Sequence, residues 1–111
     1  MPKVKITSNL HRFFPMLADE NLHLEGHSVS DVIKNIELLA PGFSHYILDE
    51  RGQVRRHVVI CIDEEFIIDR KKLSDKITEE NTLYVFQALT GGVIRLAMKP
   101  RNYFASLHTE Y

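Results

Sequence analysis

One apolar stripe in this chain has helical spacing, and it constrains the fold more than any other feature. Val29, Val32, Ile33, Ile36 and Leu39 recur at three- and four-residue steps, with Lys34, Asn35 and Glu37 on the opposite side. Ser28 sits three residues before Asp31, a variant capping box with Asp in place of Glu or Gln. Pro41-Gly42 ends the pattern. A helix with one apolar face must bury it against another layer. In 111 residues there is room for one domain and one such layer.

The remaining apolar segments read as strands, and they supply that layer. Val4-Lys5-Ile6-Thr7 alternates apolar and polar, with Leu10 and Phe13 extending the run before Pro15. Leu22-His23-Leu24 alternates again, so residues 3–24 are expected to form a two-stranded hairpin joined by Pro15 to Asn21. Phe43, Tyr46 and Ile47 suggest a short helical turn that plugs the core. Asp49-Glu50-Arg51-Gly52 is a turn. His57 to Ile62 is nearly continuously apolar and rich in Val and Ile, which predicts a central strand buried on both faces. Asp63-Glu64-Glu65 is a turn, and Phe66-Ile67-Ile68 a short strand. Leu73 and Ile77 are single apolar anchors in a polar connection, and Thr82 to Leu89 is the last strand. The order is β-β-α-β-β-β. One helix on one mixed sheet in this order is an α+β fold of the β-grasp type. A ferredoxin-like arrangement would need a second comparable helix, for which residues 69–79 are too polar.

Composition bounds the function. The net charge of -1 creates no general field toward nucleic acid or an acidic membrane. No apolar run reaches the roughly 20 residues that span a bilayer, and Lys3, Lys5, His11 and Arg12 interrupt any signal-peptide core. Cys61 is the single cysteine, so no internal disulfide can form. A cytoplasmic location is the simplest expectation. Cys61 lies mid-strand among Val and Ile and reads as a buried thiol rather than a nucleophile. His23 and His27 are four apart, but in a strand and its exit. His11, His45, His57 and His108 lack ligands at metal-binding spacing, so no metal site is expected. Glu64, Glu65, Glu79 and Glu80 fall in solvated turns, not in a pocket for acid–base work. Arg95, Lys99 and Arg101, with Tyr103, Phe104 and Tyr111, are too few charges for a nucleic-acid surface. No catalytic constellation is present, so the chain is expected not to be an enzyme and to bind no cofactor of its own.

The strand Leu83-Tyr84-Val85-Phe86-Gln87-Ala88-Leu89-Thr90 runs straight into Gly91-Gly92. Two readings follow from the residues. Without Cβ atoms, the glycines let a partner close tightly around the backbone, so the segment can be threaded into a narrow active site. Alternatively, Val93-Ile94-Arg95-Leu96-Ala97-Met98 is a further strand and Gly91-Gly92 a hairpin turn. Parity on the last strand puts Leu83, Val85 and Leu89 on one face and Tyr84, Phe86 and Ala88 on the other. The second set is expected as an exposed partner-docking patch beside the diglycine, unless the residues after Gly92 cover it.

Residues 3–92 resemble the ubiquitin-like sulfur-carrier family, which includes the small subunit of molybdopterin synthase and the thiamine sulfur carrier. The resemblance rests on Val4-Lys5-Ile6, on Ser28-Val29-Ser30-Asp31-Val32 opening the helix, and on His57 to Ile62. Its most specific part is Leu73-Ser74-Asp75-Lys76-Ile77-Thr78-Glu79-Glu80-Asn81-Thr82-Leu83-Tyr84-Val85, a polar connection leading to the last strand and then Gly-Gly. The resemblance implies a ubiquitin-like domain over residues 1–92. It further implies that a ubiquitin-activating-type enzyme adenylates the Gly92 carboxylate with its own ATP. Sulfide or a persulfide then displaces AMP, and the thiocarboxylate passes its sulfur to an acceptor enzyme. Leu89, Thr90 and Gly91 would enter the activating enzyme with Gly92. Family members usually end at the second glycine. Here residues 93–111 follow, implying a precursor trimmed by a metalloprotease. The rival reading is a non-conjugating β-grasp binding module with the extension folded as an extra strand.

Overall fold

A computed structural model of the chain describes residues 1–87; Ala88, Leu89, Thr90, Gly91, Gly92 and everything beyond lie outside the described residues. Four strands, β1 (Lys3–Ile6), β2 (Val58–Ile62), β3 (Glu65–Phe66) and β4 (Thr82–Gln87), form one mixed sheet in the order β1-β4-β2-β3. β1 runs parallel to β4, while β2 is antiparallel to both β4 and β3. The last strand therefore lies inside the sheet, between the first and the second.

The predicted helix is α2 (Val29–Leu39), and Val29, Val32, Ile33 and Ile36 are its buried residues. The cap is real but shared differently from a standard box. The Asp31 N–H donates to Ser28 Oγ at 3.2 Å, and Asp31 Oδ2 accepts from the His27 N–H at 3.1 Å rather than from Ser28 itself. The inward side chains of α2 meet Val4 and Ile6 of β1, Val58 and Ile60 of β2, and Leu83 and Val85 of β4 in one core. The short helix α3 (Phe43–Ile47) adds Phe43 and Ile47, both fully buried, as the sequence suggests. Leu73 and Ile77 are buried anchors as expected.

Two expectations on the first third of the chain are corrected. The run after β1 does not extend the strand: residues Ser8–His11 form a turn of helix, α1, followed by a 3-10 turn at Pro15–Ala18. The second strand of the hairpin is reduced to a single antiparallel bridge between Lys3 and His23, with Val4 N–H on the Leu22 carbonyl and Leu24 N–H on the Pro2 carbonyl. The alternating pattern at Leu22-His23-Leu24 is too short to carry a ladder, and Gly26 follows at a φ of 154°. A Cβ on Gly26 would stand 2.6 Å from Val32 Cγ2, so the chain passes close against α2 there and turns out of the sheet plane.

The connection from 69 to 79 contains no helix, as expected. It is organised by two carboxylates. Asp75 accepts from the N–H groups of Ile68 and Asp69. Asp69 accepts from the Ser74 hydroxyl and from the N–H groups of Lys71, Lys72 and Ser74, which together pull its carboxyl down to about 2, the Ser74 hydroxyl contributing most. Such carboxylate-capped loops satisfy the backbone without a helix.

Candidate functional site

The site begins where β4 ends. Its strand neighbours hold both of its edges. On one side Val58 pairs with Gln87 and Val59 with Phe86. On the other, Ile6 pairs with Val85, and Thr7 N–H donates to the Val85 carbonyl at 3.0 Å. Both edges of β4 are thus occupied as far as its last residue.

A polar clamp closes around the last described residue. Thr7 is buried, and its Oγ1 accepts from the Gln87 N–H at 3.2 Å. Asn9 Nδ2 donates to Gln87 Oε1 at 3.3 Å, and Gln87 Nε2 lies 3.3 Å from His57 Nε2. One residue from each of three segments (the exit of β1, the start of α1 and the residue preceding β2) therefore holds Gln87. The sequence reading placed His57 among structural histidines and did not single out Thr7, Asn9 or Gln87. Nothing in their local spacing joins them, since they come from positions as much as 80 residues apart. The parallel pairing of β1 with β4 and the antiparallel pairing of β2 with β4 bring them together.

The parity argument on β4 holds, but its consequence for exposure does not. Leu83 and Val85 face α2 in the core. Tyr84 and Phe86 face the other side, stacked with ring centroids 6.0 Å apart and planes at 18°. Cys61 is opposite Tyr84, and Val59 opposite Phe86. Phe86 was expected to be exposed for docking, and it is 0 % exposed; Tyr84 is half-buried. Ala88, the third residue of that expected patch, lies outside the described residues, as do Leu89, Thr90, Gly91 and Gly92. Burial pushes the Cys61 thiol up to about 12, so it stays protonated and unreactive at neutral pH. Tyr84 is also raised, by burial first and then by the negative charge of Asp63, with a smaller contribution from Glu64. Among the described residues, no three His, Cys, Asp or Glu side chains are grouped to hold a metal ion, and no helix is long and apolar enough to cross a membrane.

No protein-family model matches the sequence, and no curated protein does. Solved structures do match. One is a chain of the Amycolatopsis orientalis BexX/CysO complex, at a TM-score of 0.68 with 19% identity over 80% of this chain and 97% of that chain. The fold is the ubiquitin-like β-grasp. Mycobacterium tuberculosis CysO matches at a TM-score of 0.66, with 20% identity over 78% of this chain and 97% of that one. Haloferax volcanii small archaeal modifier protein 1 matches at 0.59, with 13% identity over 78% of this chain and 94% of that one. These β-grasp chains are spanned almost completely, whereas about a fifth of the present chain falls outside each match. The resemblance seen in residues 3–92 is thereby met at the level of the fold.

Proposed function

We propose that this chain is a ubiquitin-like carrier whose chemistry is performed at Gly92 by partner enzymes, the form described being a precursor. The observation that carries the reading is the position of β4. β4 is paired on both edges and clamped at Gln87, four residues before Gly91-Gly92 in the sequence. A folded body whose central strand is followed this closely by a diglycine suits a substrate delivered into an enzyme's narrow channel. The solved β-grasp chains named above support it further: one is described as part of a complex with BexX, and another as a modifier protein.

In this reading residues 1–92 are the carrier and residues 93–111 are removed by a protease, a zinc metalloprotease in the family that the sequence resembles. A ubiquitin-activating-type enzyme, with ATP as its own substrate, converts the Gly92 carboxylate to an acyl-adenylate. The carboxylate alone is a poor acyl donor, and AMP supplies the leaving group. A sulfur nucleophile displaces AMP to leave a thiocarboxylate, which a sulfur-acceptor enzyme consumes. Leu89, Thr90 and Gly91 enter the channel with Gly92. The chain's own residues contribute position: Thr7, Asn9 and His57 hold Gln87, the last residue of β4. The rival reading is a non-conjugating β-grasp binding module with Gly91-Gly92 as a hairpin turn.

The test is adenylation. Residues 1–92 are incubated with a ubiquitin-activating-type enzyme from the same organism, and exchange of labelled pyrophosphate into ATP is followed. Exchange should require the Gly92 carboxylate and be lost with residues 1–91. Equal exchange with the full chain would place activation elsewhere.

A further inference from the structure

The break in the first hairpin opens a pocket beside β1. Lys3 and Thr7 donate their N–H groups toward β4, to the carbonyls of Asn81 and Val85. By strand alternation the N–H groups of Val4 and Ile6 face the opposite edge. Val4 N–H finds the Leu22 carbonyl at 2.9 Å. A continuing antiparallel ladder would return the Leu22 N–H to the Val4 carbonyl. It donates instead to the Asp19 carbonyl at 3.3 Å, and a gap is left between β1 and residues 17–21. The gap is a pocket of about 550 Å³, within the range of small-molecule sites. Lys3–Ile6 form one wall and residues 17–21 another, and His11 lines it as well.

We propose that this pocket binds a small oxyanion, the phosphate or carboxylate group of a metabolite-sized ligand, through Lys3, Lys5, His11 Nε2 and the Ile6 N–H. Two unpaired groups and two unpaired charges point to it. His11 Nε2 is buried and has no hydrogen-bond partner among the described residues. Such a nitrogen carries a desolvation cost that a bound partner removes, and with its proton on Nε2 the ring is a donor. The Ile6 N–H has no partner among the described residues, and Ile6 is only 4 % exposed, so bulk water hardly reaches it. This N–H is a fixed donor, which an oxyanion can satisfy and a cation cannot. Val4 and Ile6 face the core, so Lys3 and Lys5 project together on the other side of β1. Neither lysine takes part in an ion pair among the described residues, although Asp19 and Glu20 line the same pocket. The acidic rim does not cancel the two positive charges. Asp19 Oδ1 accepts from the Asn21 N–H at 2.9 Å, and Glu20 is exposed, where salt screens its charge. The site does not depend on the carrier reading, since no residue near Gly92 contributes to it.

The test is a titration of the isotope-labelled full chain, followed by NMR of its amides and imidazoles. Sodium phosphate and sodium acetate are added separately, with chloride holding the ionic strength constant. Saturable shifts of the Ile6 amide and the His11 ring nitrogens are expected with at least one of the two, and the one that saturates identifies the head group. Lys3→Gln/Lys5→Gln should weaken binding about tenfold, the scale of one charge-assisted hydrogen bond. His11→Phe keeps a flat ring, removes the nitrogen and should weaken binding as well. Glu20→Gln should tighten it, because the rim loses a like charge. Unshifted amides of α2 verify that each variant is folded. If His11→Phe unfolds the domain, the half-exposed lysine pair carries the test alone. Shifts that rise without saturation in both titrations would overturn the proposal and leave water as the partner of His11. So would saturation that is equally strong in Lys3→Gln/Lys5→Gln, which would place the anion elsewhere on the surface.

Discussion

Gly26, Ile36 and Thr7 each do something that a single side-chain change can expose. Gly26 combines a φ of 154° with a Cβ direction blocked by Val32. Gly26→Ala should therefore lower stability by more than about 1 kcal/mol, measured by urea unfolding, because both the backbone and the packing reject the methyl group. Ile36 is fully buried between α2 and the sheet. Ile36→Ala should cost about 2–5 kcal/mol, and an unchanged urea midpoint would refute its place in the core. Thr7→Val keeps the shape but removes the oxygen that accepts from Gln87 N–H. The expected loss is about 1 kcal/mol, with a drop in Gly92 activation larger than in any surface control, since the hold on the end of β4 is loosened. The buried residues were legible from periodicity: Val32, Ile33, Ile36, Val58, Ile60 and Leu83 are all in the core. Phe86 was placed on the correct face but not in the correct environment, because parity says which way a side chain points and not what covers it. Its burial means that Phe86→Ala should reduce thermal stability.

At the scale of elements, α2 is read more securely than the short helices and strands around it. The α2 stripe has five apolar positions, a cap and a Pro-Gly stop, so several independent signals coincide. Leu22-His23-Leu24 offers one alternation and nothing more, and it became a bridge. The link between α2 and α3 was not legible at all. Glu37, on the polar side of α2, reaches forward to accept from the N–H groups of Gly42 and Ser44 at 2.7 and 2.8 Å, capping the start of α3. These bonds, Gly42 first, hold its carboxyl below its ordinary value of 4.5. A carboxyl lowered by folding adds stability that is complete above the unfolded value. That contribution is lost as the pH falls through 4.5 toward the lower folded value. Glu37→Gln should accordingly flatten the acid limb of a stability-versus-pH curve, compared with the parent, and leave its slope above neutrality unchanged. An acid limb identical to the parent's would show that the cap does not form in solution.

For the whole molecule, a diglycine after a strand is compatible with a hairpin or with a projecting terminus. The sheet order places β4 between β1 and β2, with Gln87 four residues before that diglycine. The clamp on Gln87 belongs to the same topology, which is why no local motif announced it. The proposed function turns on the Gly92 carboxylate becoming an acyl donor for sulfur. The most direct measurement is the intact mass of residues 1–92 after incubation with ATP, a sulfur donor and the activating enzyme. A gain of about 16 Da, oxygen replaced by sulfur at the terminal carboxyl, that is absent in Gly92→Ala and in reactions without ATP, is the predicted result. An unchanged mass, from folded protein and an enzyme shown to be active on its own carrier, would contradict it.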